Sequence, residues 1–147
     1  MSDDDGGNRA AERRRSNAFS ISAAAPSLRV ARLDQLFAAI GAEAVPELLA
    51  RLTEDLAEVD RRLAAALPRP PARPPGPDWA EIRAQAHVLI ALTGTVGADG
   101  LRRGAERLHA AACARDGAAI RRIAPGIRRQ LAALPGLLRA AAAGCPA

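Results

Sequence analysis

Ala86-His87-Val88-Leu89-Ile90-Ala91-Leu92-Thr93-Gly94-Thr95-Val96-Gly97-Ala98 is the stretch whose reading decides the fold. It lacks the strict alternation of a half-buried strand. Extended upstream, Trp79, Ile82, Ala86, Leu89, Thr93 and Val96 recur at spacings of three and four, the repeat of one helical face turned to a core. Asp78 and Glu81 form a D-x-x-E capping box at its start, and the turn Gly94-Thr95-Val96-Gly97 is expected to end it. His87 falls off the apolar stripe, so the periodicity points it outward. Arg83, Ala84, Ile90, Ala91 and Gly94 share its face. That face is flat and built largely of small side chains, which lets another backbone come close.

The flanking segments read as helices too. Ser27, after Pro26, is the expected N-cap of a first helix over 27–40, with Val30, Leu33, Phe37 and Ile40 on one face and Gly41 as its stop. A second helix is expected over 44–67. Leu48, Leu49, Leu52, Leu56, Val59 and Leu63 make its stripe, and Pro46 is acceptable there only in the first turn. The Pro-rich run 68–77 cannot be helical and reads as a stiff loop between helices. Beyond the histidine helix, Leu101, Ala105, Leu108 and Ala112 face inward on a helix over about 98–115, and Asp116-Gly117 is a turn. A last helical region spans about 118–143, where Pro125-Gly126 and Pro135-Gly136 are expected to kink or break it. Residues 1–25, with Asp3-Asp4-Asp5-Gly6-Gly7 and Arg13-Arg14-Arg15, have no periodicity and read as a disordered tail. The expected organisation is that tail followed by a single helical domain over 26–147.

Composition agrees with an all-α reading. The chain has 147 residues, enough for one domain with a real core. Its apolar share of 49% is mostly Ala and Leu, with two Phe, one Trp and no Tyr, which favours helices over sheet. The net charge is +5, and every basic side chain is Arg. Those arginines are interspersed with acids and stacking aromatics are scarce, so nucleic-acid binding is not expected. Cys113 and Cys145 have no pairing or metal spacing around them, which suits a reducing compartment. No apolar run reaches transmembrane length and the acidic N-terminus lacks a signal-peptide pattern, so the expectation is a soluble, cytoplasmic protein with no membrane partner. No G-x-x-x-x-G-K-[ST] loop for ATP is present. Nor is there a constellation for hydrolysis.

The register around His87 resembles that of histidine phosphotransfer (HPt) domains, whose motif runs roughly A-H-x-L-K-G-x-x-x-x-x-G-A. Ala86, His87, Leu89, Gly97 and Ala98 stand at matching positions. The likeness extends over about 33–138, through Leu36-Phe37, Leu48-Leu49, Asp78-Trp79, Leu101, Leu108 and Asp116-Gly117. Two family positions differ: the usual lysine is Ile90 and the usual glycine is Ala91. The resemblance implies an up-and-down four-helix bundle with a short N-terminal cap helix. It implies that His87 accepts a phosphoryl group, and that the partners are a response-regulator receiver domain, a sensor histidine kinase, or both. The receiver supplies the aspartate and the Mg²⁺, so the chain needs no cofactor or metal of its own and is expected to act as a monomer.

The chemistry fits a carrier rather than an independent enzyme. Neutral imidazole is a good nucleophile, and its ordinary pKa of ~6.5 leaves most of it neutral at cytoplasmic pH. Phosphoryl transfer asks for in-line approach and charge stabilisation. Ile90 cannot hold phosphate as lysine would, a loss on the order of 1.5–3 kcal/mol for one charge-assisted contact. It also makes that spot apolar, in keeping with a hydrophobic partner surface. Arg83, one turn earlier, is the candidate replacement cation. His109 is expected on the next, antiparallel helix at a comparable height, where it would orient His87 or contact its phosphate. The alternative is an adaptor that binds a receiver or kinase through the Ile90 face without carrying phosphate.

Overall fold

The computed structural model describes residues 27–68 and 76–144, and every regular element among them is helical. The expected tail over 1–25 and most of the Pro-rich loop lie outside the described residues. Helix α1 spans Val30–Ile40 and is followed by a 3₁₀ turn, Ala42–Ala44. Then come α2, Val45–Ala66; α3, Trp79–Val96; α4, Asp99–Cys113; and α5, Gly117–Ala143. The most extensive packing is between α3 and α4. Helix α5 packs on both α4 and α2, α2 also packs on α3, and α1 leans on α3. No helix among the described residues is long and apolar enough to cross a membrane.

Helix α1 starts later than Ser27 predicts. Its N-cap is Arg29, with no side-chain capping bond. The Arg29 N–H donates to the Gly97 carbonyl at 3.0 Å, and its guanidinium pairs with Asp99 at 2.8 Å. Those bonds tie the chain to the α3–α4 turn and hold Arg29 in an extended conformation. Only Leu33 and Phe37 of the expected stripe are buried; Val30 and Ile40 are exposed. A helix this short meets its neighbours through one i, i+4 pair, and the residues flanking that pair reach past the contact.

Helix α2 follows its stripe closely. Leu52, Leu56, Val59, Leu63 and Ala66 are buried, Leu48 and Leu49 half-buried, and Pro46 sits in the first turn. Asp60 on its flank accepts two hydrogen bonds from Arg128 of α5, at 2.7 and 3.3 Å. That hydrogen bond and the carboxylate charge raise the Arg128 pKa above its ordinary value, against a smaller opposing effect of burial.

Asp78 caps α3 by accepting from the Glu81 N–H at 3.1 Å. The return bond of a capping box is pre-empted, because the Asp78 N–H already donates to the Ala66 carbonyl at the end of α2. The Glu81 carboxylate instead accepts from Gln85 at 2.8 Å, which satisfies an amide that is buried at the helix interface. Ile82, Ala86, Leu89, Thr93 and Val96 are buried as the periodicity requires, and Trp79 is half-buried. The buried Thr93 hydroxyl donates back to the Leu89 carbonyl at 2.7 Å.

Gly94 is helical rather than part of the closing turn. The helix runs on to Val96, and Gly97 alone ends it in the left-handed region at φ 73°. That conformation favours glycine, and space demands it as well, since a Cβ there would lie 2.9 Å from Arg29 Cβ.

On α4, Leu101, Ala105, Leu108 and Ala112 are buried as expected, joined by Gly104 and Ala111. Asp116 is the N-cap of α5 and accepts from the Ala119 N–H at 3.0 Å. Helix α5 is not broken. It is continuous through both Pro125 and Pro135. Each proline in a helix costs about 3 kcal/mol. Five large side chains on the buried face, Ile120, Ile127, Leu131, Leu134 and Leu138, contribute roughly 1.5–3 kcal/mol apiece and hold the helix against its neighbours on both sides of each proline.

Candidate functional site

The site lies along the seam between α3 and α4, the most extensive helix pairing among the described residues. Ala86 and Ala105 are fully buried, as is Ala98 in the turn between the helices. Small side chains let two helices approach closely, and residues on the rims of the seam then meet across it. A Cβ added at Gly94 would lie 3.7 Å from Arg102 Cδ. From Gly94 back to His87, and from Arg102 on to His109, the chain covers the same number of residues in opposite directions. The two histidines accordingly face each other, with ring centroids 6.4 Å apart and planes tilted by 50°. The expected pairing of heights on antiparallel helices is thus met.

His87 is exposed and His109 half-buried. Arg83, Ala84 and Ala91 are exposed around His87, and Gly94 is half-buried. Ile90 departs from the expectation of an open apolar spot. It is half-buried and packs against the hydrophobic core. Its position lies between the core stripe of Ala86, Leu89 and Thr93 and the outer stripe of His87 and Ala91, so its bulk folds inward. The large apolar side chain exposed beside His87 is Val88, at 41%.

Sequence reasoning missed four residues here. Val88 is one. Arg102 and Glu106 form an i, i+4 ion pair at 3.0 Å on the α4 rim. Cys113 is exposed, with its Sγ 3.7 Å from His109 Nδ1. The signal for Cys113 was its place four residues after His109, one helical turn on the same face. Arg102 was legible once Gly94 was matched across the seam.

The seam offers a nucleophilic nitrogen on an open surface, a second imidazole facing it, a thiol behind that imidazole, and a guanidinium one turn away at Arg83. Among the described residues, no group of three or more His, Cys, Asp or Glu is arranged to hold a metal ion. A cavity of about 1060 Å³ opens elsewhere, between α1, α2 and the end of α5. It is lined by Phe37, Val45, Leu49 and Ala142 with Asp34 and Arg139. It brings together none of the residues of the histidine seam.

Comparison of the chain with models of protein families, with curated proteins and with solved structures found no match.

Proposed function

We propose that this protein is a histidine phosphotransfer carrier. In this reading α2 to α5 form an up-and-down four-helix bundle and α1 is its short cap helix. His87 takes a phosphoryl group from a receiver-domain aspartate or a sensor kinase and passes it to another receiver. The observation that supports this best is an exposed imidazole at the middle of a helix whose opposite face is fully packed, beside a rim of small side chains. Chemically, a neutral imidazole nitrogen attacks phosphorus in line. The N–P bond forms as the acyl-phosphate O–P bond breaks and the aspartate leaves as a carboxylate. The receiver contributes the Mg²⁺ that offsets the developing charge. This chain contributes the nucleophile, a rigid platform and Arg83 as a nearby cation. The protein would act as a cytoplasmic monomer, with no cofactor of its own.

One observation favours an adaptor that docks without carrying phosphate: the position where the family has lysine is an isoleucine packed on the core. Incubation with phosphoramidate, read by phosphorus NMR, separates the two. A carrier gives a phosphohistidine resonance that His87→Ala lacks, and Ile90→Lys strengthens it. An adaptor gives none, and Ile90→Lys does not create it.

A further inference from the structure

The turn at Asp116 folds α5 back along α4. The two helices meet where a Cβ added at Gly104 would lie 3.4 Å from Ile127 Cγ1. Gly126, beside Ile127, is buried as well. Arg103 and Arg107 flank Gly104 on the side turned away from the core, and Arg122 and Arg129 stand within roughly 60° of Gly126 on the same outer side. Counting a rise of about 1.5 Å per residue from the Gly104 contact, Arg103 is level with Arg129, and Arg107 with Arg122, to within about 3 Å. The four guanidiniums thus stand in two rungs about 8 Å apart along the outer α4–α5 face.

All four arginines are exposed, and none has an ion pair among the described residues. The acids nearby are engaged elsewhere: Asp99 with Arg29, Glu106 with Arg102, and Asp116 with the Ala119 N–H. Helix α5 has five arginines and no Asp or Glu. Arginines and acids that mix along the chain therefore separate in space, and this face carries one sign of charge. Its surroundings narrow the partner. Neither helix has an aromatic ring except His109, which faces α3, so unpaired bases have nothing to stack on. No large apolar side chain is exposed on either helix to enter a lipid surface. A protein partner docks around an apolar centre with a polar rim, and this face has no such centre. A paired duplex asks for neither stacking nor apolar contact, only cations set against its phosphates.

We infer that the outer α4–α5 face binds double-stranded nucleic acid through its phosphates, without reading base sequence. The histidine seam lies on the other flank of α4, so this holds whether or not His87 carries a phosphoryl group.

The test titrates the full chain with a short mixed-sequence DNA duplex, followed by fluorescence anisotropy, between about 50 and 200 mM salt. Four phosphate contacts contribute about −3.6 to the slope of log affinity against log salt, on their own a loss of roughly 150-fold across that range. Arg103→Ala, Arg107→Ala, Arg122→Ala and Arg129→Ala each reduce the slope by about 0.9 and weaken binding alike on any sequence. Arg51→Ala, which removes the same charge from α2, leaves the slope unchanged, as does His87→Ala. The four positions are exposed, so the variants keep their helical circular dichroism. Binding that is absent at low salt, that survives loss of all four guanidiniums, or that falls equally in Arg51→Ala overturns the inference. So does tighter binding of poly-aspartate or of phosphatidylserine vesicles than of the duplex. Each of these results leaves the carrier reading intact, since that reading is scored by phosphohistidine alone.

Discussion

The two faces of α3 differ less in polarity than in whether their polar groups have partners within the helix. The inner face carries Ile82, Leu89 and Val96, all fully or almost fully buried, and also takes in two polar residues, Gln85 and Thr93. The outer face carries Arg83, Ala84, His87 and Ala91, all exposed, together with the apolar Val88. Both faces therefore mix polar and apolar groups. What separates them is that the inner polar groups are satisfied within the helix, Gln85 by Glu81 and Thr93 by the Leu89 carbonyl. The outer ones are left open to a partner. A buried polar group with its bond made adds to a framework, whereas an exposed one on a flat surface is free to do chemistry.

Mutations on and around the two faces probe this division. The largest effect is expected at Leu89, which is fully buried. Leu89→Ala should lower unfolding free energy by about 2–5 kcal/mol in denaturant titrations. His87→Ala, two residues away on the other face, should change it by no more than about 0.5 kcal/mol. A cost at His87 approaching that at Leu89 would erase the distinction between the faces.

Next comes Gly97, where the framework meets α1. Gly97→Ala combines a left-handed φ with a Cβ 2.9 Å from Arg29 and should cost roughly 1–3 kcal/mol. Hydrogen exchange in α1 should accelerate more than in α3, because the added methyl pushes directly on Arg29, whose bonds anchor the start of α1. Removing the α3 cap with Asp78→Ala should cost about 1 kcal/mol, visible as fraying at Trp79 in its fluorescence. The smallest effect is expected at the Asp60–Arg128 pair. Both side chains are more than a third exposed, so solvent screening holds Asp60→Ala to about 1 kcal/mol or less. That effect should shrink further in salt.

The inner face was legible in the sequence because burial imposes a period. Ile82, Ala86, Leu89, Thr93 and Val96 could be picked out at spacings of three and four, and all are buried. The matching positions on α2 and α4 were legible for the same reason. Gly94 misled, and α5 runs unbroken through its prolines, because local propensity favours a turn or a break where packing keeps the chain helical. Ser27 misled because the start of α1 is set by a bond to Gly97, remote in sequence. At the site, the outward direction of His87 and its meeting with His109 followed from helical geometry. The inward packing of Ile90 did not, because a residue on the border between stripes takes its side from the neighbouring helices. Cys113 was overlooked because it was weighed as a disulfide or metal residue instead of as the neighbour one turn from a histidine.

The most direct measurement is the yield of phosphohistidine after phosphoramidate treatment, read by phosphorus NMR on the parent, Leu89→Val and His87→Ala side by side. The division of α3 into a framework face and a chemical face predicts equal yields from the parent and Leu89→Val and none from His87→Ala. A signal that survives in His87→Ala, or is absent from a folded Leu89→Val, would contradict it.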